Sequence, residues 1–233
     1  ERIMAQFLME IAGYRAAVTS LFESTRDYCG KYFAEGNGDF FVTVCREDLS
    51  FEQEALRQEA LEEGIRIRKF TDPFLERTTI QRKYAEFLFD RSVLMTHGST
   101  VAVDGKAYLF TASCGTGKST HTRLWRQAFG PRAVMINDDK PFLKLAESGV
   151  LACGSPWSGK HGLDSNISAP LRGICLLERG SENRIEPMVP EEILDMLRRQ
   201  SFHPQDPSLE ETLERLLLQL TKLVPLWKMQ CTK

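Results

Sequence analysis

The stretch Lys106-Ala107-Tyr108-Leu109-Phe110-Thr111-Ala112-Ser113-Cys114-Gly115-Thr116-Gly117-Lys118-Ser119-Thr120 decides how this chain is read. Lys106 to Thr111 is a strand-like apolar run, and Ser119 to Phe129 reads as a helix stopped by Gly130 and Pro131. Between them lies a glycine-rich loop, so the order is strand, loop, helix. A phosphate group needs many donors converging on it with no side chains in the way. Gly115 and Gly117 let the backbone wrap closely and aim its N–H groups inward, with Ser113, Cys114 and Thr116 completing the loop. The helix starting there adds its N-terminal partial charge. Lys118 can reach outer phosphates, the Ser119 hydroxyl can ligate Mg²⁺, and Thr120 continues the cradle. The common pattern opens with glycine five residues before Gly117, where this chain has Ala112. The plainer alternative is a turn followed by a helix cap.

Working upstream, Ser99 to Val103 is a second strand-like run, joined to the first by Asp104-Gly105. A two-residue turn of this kind predicts a hairpin, because glycine tolerates the positive φ of a type I′ turn. The turn fixes a register in which Val103 faces Lys106, Val101 faces Tyr108, Ser99 faces Phe110 and His97 arrives opposite Ala112. His97 would then stand at the mouth of the loop, able to bind phosphate or acceptor or to move a proton. The alternative, a histidine that anchors the strand start, is equally open. In parallel-sheet phosphate-loop enzymes the strand before the loop is buried and flanked by crossovers. Here it is one arm of a tight antiparallel hairpin, which points to a different α/β architecture with a mixed sheet.

Downstream, Ala133 to Ile136 is a short apolar strand ending in Asn137-Asp138-Asp139, with Asp138 twenty residues after Lys118. One helix and a turn fill that gap and can return the strand end to the loop. Phosphoryl transfer needs one carboxylate on the cation and another on the attacking hydroxyl. Neighbouring residues in extended chain face opposite ways, so both can serve only if the backbone turns there. Asp138 is assigned as the base and Asp139 as the metal partner beside Ser119; an acidic strand exit beside Lys140 and Pro141 is the alternative.

His97-Gly98-Ser99, the hairpin into Gly115-Thr116-Gly117-Lys118-Ser119, and Asp138-Asp139 together resemble the HPr kinase/phosphorylase family and its relatives of the phosphoenolpyruvate carboxykinase-like P-loop fold. The resemblance is clearest from about Leu94 to Leu145 and traceable to about Glu178. It is closer to the relatives of unassigned substrate, which include kinases of free serine and of peptide side chains, than to HPr kinase itself. What it implies is ATP contact at Gly115 to Ser119, Mg²⁺ at Ser119 and one aspartate, and catalysis by His97 with the other aspartate.

The glycine-flanked segment Gly154 to Gly162 can complete such a site. Lys160 would place a cation on charge developing in a transition state, and Trp157 would stack on a base or exclude water. A surface loop between strands is the alternative. Arg172 is a second candidate cation, while His121 reads as a helix-surface residue and His203 as part of a structural turn.

Residues 1–92 read as an accessory α/β region and residues 93–233 as the nucleotide-binding, kinase-like domain. In the first, Ile11 to Leu21 and Asp39 to Cys45 look like strands. A helix capped by Ser50 and Gln53 carries the stripe Leu56, Leu61 and Ile65, and Arg82 to Leu94 reads as another helix. In the second, Val150 to Gly154 and Arg172 to Glu178 read as strands and Pro190 to Leu223 as mostly helix, with Leu213, Leu216, Leu217 and Leu220 on its core side. Leu223 to Met229 looks like the start of a further strand that the sequence end cuts short. The net charge of −2 gives no basic field for nucleic acid or an acidic membrane, and no apolar run approaches the roughly 20 residues of a membrane span. No secretory leader is visible, although the chain opens on Glu1 and an earlier start stays open. Six scattered cysteines without a C-x-x-C pair point to free thiols in a reducing cytoplasm.

The expectation is a Mg²⁺-dependent transfer of phosphoryl from ATP to a hydroxyl-bearing substrate, with homo-oligomerisation left open. Ala112 and the lack of a clear HPr-recognition segment motivate a rival, a nucleotide-sensing module without catalysis. A carboxykinase-like reaction ranks third, because no plain histidine–lysine pair serves a second metal.

Overall fold

The computed structural model describes residues 4–62, 64 and 66–232. These fall into two compact units, one ending at Phe87 and one beginning at Leu88. In the first, β1 (Ala5–Ile11) and β2 (Tyr14–Ser20) form an antiparallel hairpin around Ala12 and Gly13, both at positive φ. The expected single strand from Ile11 to Leu21 is therefore a turn plus one arm. Helix α1 (Glu23–Tyr28) leads to β3 (Phe40–Thr43), which lies parallel to β2. Helix α2 (Arg46–Glu62) begins four residues before the expected cap at Ser50. The side chain that reaches back at its start is Asp48, accepting from the Cys45 amide at 2.9 Å. Its inward positions are Leu49, Glu52 and Ala60, with Leu56 half-buried. Leu61, five residues and some 140° from Leu56, is 51 % exposed, and Ile65 lies outside the described residues. Gln53 instead accepts from the Phe70 amide and donates to the Arg68 carbonyl. Helix α3 (Asp72–Phe89) starts ten residues earlier than expected. It buries Tyr84, whose hydroxyl sits between the Met9 and Tyr14 carbonyls, and Phe87 stacks on Phe40 at 3.6 Å.

In the second unit the chain runs β4 (Val93–Met95), β5 (Ser99–Val103), β6 (Lys106–Thr111), α4 (Lys118–Phe129), β7 (Ala133–Asn137), β8 (Phe142–Ala146), β9 (Gly149–Cys153), β10 (Ser168–Arg179), β11 (Arg184–Pro187), α5 (Pro190–Gln200), α6 (Glu210–Leu223) and β12 (Leu226–Cys231). The strands join one mixed sheet in the order β4-β8-β9-β10-β6-β5-β7. At the long β10 the sheet also takes β12 in parallel, and β12 carries β11. The hairpin stands in the expected register, Val103 to Lys106, Val101 to Tyr108 and Ser99 to Phe110, with Asp104 at φ 49° and Gly105 at φ 72°. Alternation along the strands divides two faces. Ala102, Leu109, Ile136 and Ile174 pack with Ile193, Leu197, Leu213, Leu216, Leu217 and Leu220 of α5 and α6. Val101, Phe110, Met135 and Cys175 form the other core, against which Trp125 of α4 packs. The predicted C-terminal helix is thus two helices. Ser201 bridges to Thr96 between them, and His203 joins the Arg198 carbonyl to Glu210. No helix among the described residues is long and apolar enough to cross a membrane.

Candidate active site

Strand β5 runs antiparallel to both β6 and β7, so its start meets their ends. That edge collects the candidate residues. The loop leaves β6 at the buried Ala112, whose carbonyl accepts from Lys118 Nζ at 3.0 Å. Positive φ at non-glycine residues is confined, among the described residues, to Ala12, Ser92 and Asp104, so alanine suits position 112. Gly115 (φ 74°) and Gly117 (φ 119°) hold left-handed geometry, and a Cβ at either would point into open space. The turn is closed by Thr116 N to Ser113 O at 3.3 Å. Cys114 is exposed, Ser119 half-buried and Thr120 exposed. Burial drives the Lys118 ammonium below an ordinary lysine pKa, opposed by the fields of Cys114, Asp139 and Asp138. Lys118 therefore shares an electrostatic neighbourhood with both aspartates.

The aspartates are brought to one side by Asn137, which the sequence reading gave no role. Its Oδ1 accepts from the amides of Asp139 (2.7 Å) and Lys140 (2.6 Å), and its Nδ2 donates to the Ser155 carbonyl at 2.8 Å. This is a side chain imitating a backbone turn, and it bends the chain where extended geometry would have split the pair. Asp138 Oδ1 accepts from Ser99 Oγ at 2.6 Å, and Ser99 Oγ lies 2.8 Å from Thr122 Oγ1 on α4. Asp139 Oδ1 lies 3.0 Å from His97 Nε2 and 3.5 Å from Lys140 Nζ. Burial pushes the Asp139 carboxyl up, but the His97 hydrogen bond and the Lys140 charge outweigh it and hold it below the usual range. His97 and Ala112 are not ladder partners. Instead the His97 amide donates to Gln200 O, its carbonyl receives Thr111 Oγ1, and its ring faces Asp139. The residue both anchors the strand start and enters the cluster.

Gly159 packs on Asp139, where a Cβ would come within 3.2 Å of Asp139 Cβ. Lys160, next in sequence, is exposed and makes no ion pair among the described residues. Trp157 is buried with its ring 6.2 Å from Phe142, so it is core and unavailable to stack on a base. His121 is half-buried rather than on the helix surface, 4.5 Å from the Phe110 ring and accepting from Trp125 Nε1. Arg172 is the fifth residue of β10 and stands beside the start of the parallel β6, at the end away from the loop. Arg179, at the end of that strand, donates to Gly115 O at 2.8 Å. Parallel pairing brings carboxyl ends together, and that was the missing signal. A cleft of about 720 Å³ opens from Gly115–Gly117 along α4 to the paired strands β11 and β12, and none of His97, Asp138, Asp139 or Lys160 lines it.

No protein-family model matches the chain, and no curated protein sequence matches it. Among solved structures it is similar to the HPr(Ser) kinase/phosphatase from Coxiella burnetii. The match has 14% identity and a TM-score of 0.32, and covers 53% of this chain and 88% of that one. Among the described residues no three histidine, cysteine, aspartate or glutamate side chains cluster as a metal site. A cation shared with phosphate oxygens needs fewer protein ligands. The loop is compatible with that, because among the described residues the Ala112 carbonyl is the hydrogen-bond partner of Lys118 and the space beside Gly115 and Gly117 is open.

Proposed function

We propose that the chain is a kinase of the HPr-kinase-like kind, moving the γ-phosphoryl group of ATP to a hydroxyl. What supports the reading is the strand edge where β5 begins and β6 and β7 end, from which the glycine loop, Asp138 and the His97–Asp139 pair all project. The loop amides and the N-terminus of α4 bind the phosphates, and Lys118 exchanges the Ala112 carbonyl for outer phosphate oxygens. Asp138, steadied by Ser99, orients the acceptor hydroxyl and takes its proton as the acceptor oxygen bonds to phosphorus and the bond to the β-phosphate oxygen breaks. Asp139, kept ionised, and Ser119 are the groups that would hold Mg²⁺, which when bound neutralises phosphate charge. His97 fixes the Asp139 carboxylate, and Lys160, exposed and next in sequence to Gly159, is the residue we assign to charge developing in the transition state. Six free cysteines, three of them buried, support a reducing, cytoplasmic setting.

The test is turnover of Mg²⁺-ATP by the purified chain against a panel of hydroxyl acceptors, including serine and serine-containing peptides. Turnover that disappears in Lys118→Ala and Asp138→Asn is expected. Tight ATP binding without transfer to any acceptor would instead establish the sensing module.

A further inference from the structure

The cleft beside the loop uses none of the residues assigned to phosphoryl transfer, and its composition is distinctive. One wall is α4, with Thr120 and Leu124; the other is the antiparallel β11–β12 pair, with Ile185 and Met229. Leu124 is 50 % exposed and Ile185 55 % exposed, yet both line the same hollow. Asn183 sits at its rim, its Oδ1 accepting from the Thr232 amide at 3.0 Å, which leaves its NH₂ as the available donor. Arg179, which also lines the hollow, ties the end of β10 to the loop by its bond to Gly115 O. Apolar side chains on both walls, the Asn183 and Gln230 amides among the lining groups, and a volume of about 720 Å³ suit a flat, partly polar ring system, within the roughly 300–1,000 Å³ range of small-molecule sites. Direction supports this. Gly115, Thr116 and Gly117 of the loop line the cleft, whereas Lys118, the residue for the outer phosphates, does not and turns instead to the Ala112 carbonyl.

We infer that this cleft holds the nucleoside, with the base between Leu124 and Ile185, so that nucleoside and acceptor lie on opposite sides of the loop. The inference rests on the phosphate-loop reading. The test measures Mg²⁺-ATP and inorganic tripolyphosphate binding to the full chain and to Leu124→Asp and Ile185→Asp by calorimetry. Both positions are half-exposed and on separate elements, and retained tripolyphosphate binding reports an intact loop. Each variant is expected to bind ATP about tenfold or more weakly while binding tripolyphosphate as the wild type does. Variants that keep wild-type ATP affinity, or that only weaken acceptor binding, overturn the cleft assignment alone. A wild-type chain that binds neither ligand overturns the phosphate-loop reading and this one with it.

Discussion

Removing one hydroxyl, Ser99→Ala, tests the wiring of the site most directly. Ser99, Thr122 and Asp138 are 0, 1 and 8 % exposed, and their side chains form one chain of contacts from α4 through β5 to the end of β7. Alanine fits the strand, so the change strips Asp138 Oδ1 of its donor with little other disturbance. A hydrogen bond to a charged group contributes about 1.5–3 kcal/mol, and the carboxylate stays buried without it, so we expect a loss of about 2–3 kcal/mol. At this chain size that is roughly 5–10 °C in Tm. Thr122→Val should cost only about 1 kcal/mol, since the Ser99–Asp138 bond survives. Urea unfolding followed by tryptophan fluorescence reads the right unit, because Trp125, Trp157 and Trp227 all lie beyond Phe87. With an active preparation, kcat should fall more than ATP affinity. A Ser99→Ala chain within about 0.5 kcal/mol of wild type, or a Thr122→Val chain as unstable as Ser99→Ala, would refute the argument.

Gly117→Ala meets open space but demands φ 119° of an alanine, so stability should drop by about 1–2 kcal/mol while ATP affinity drops over a hundredfold, measured by melting and by calorimetry. Gly98→Ala puts a methyl 2.5 Å from Leu109 Cδ1 and 3.0 Å from Phe110 O. It should destabilise by about 1–3 kcal/mol in chemical unfolding and lower turnover through the displaced His97. Burial raises the thiols of Cys29 and Cys175 to about 12, so their thiolate forms stay scarce through pH 9. Mass spectrometry after iodoacetamide should then find both labelled only in denaturant. Exposed Cys114 should label in the native chain and be protected by ATP, whereas exposed Cys45 should label with or without it.

What the sequence made legible was local. The Asp104-Gly105 turn forced both the hairpin and its register, because few residues accept two successive positive φ values. The β1–β2 turn hid because Ala12 fills a left-handed position where Asn or Asp is the usual signal. Strand β8 was missed for a related reason: its loop to β9 is Glu147-Ser148, and the glycine stands one place later, at Gly149 with φ 134°. Helix α3 looked too polar at its start because Glu76 and Thr79 are buried there, Glu76 receiving the Leu21 amide. In the site, the glycine loop, His97 and the aspartates could be named from the sequence. The groups that orient them could not. Ser99 reaches Asp138 across 39 positions and Arg179 reaches Gly115 across 64, and both contacts exist only once strand order is set.

That strand order also explains why an antiparallel hairpin can feed a phosphate loop at all. With β5 between β6 and β7 and opposed to both, the edge where β6 releases the loop and β7 releases Asp138 and Asp139 is where β5 begins. In an all-parallel sheet that position would be another strand's carboxyl end, leading away into a crossover. Here it supplies His97-Gly98-Ser99 at the height of the aspartates: the Gly98 amide donates to Asp139 O, the Ser99 hydroxyl to Asp138 and the His97 ring to Asp139. Three consecutive residues thus address two consecutive aspartates, Gly98 through the main chain and its two neighbours through the carboxylates. A single-residue slip of the hairpin would turn Ser99 to the opposite face and undo the Ser99–Asp138 contact. Lengthening the Asp104-Gly105 turn by one glycine, far from any phosphate, should therefore cost activity as severely as losing an aspartate, while leaving the chain folded by circular dichroism.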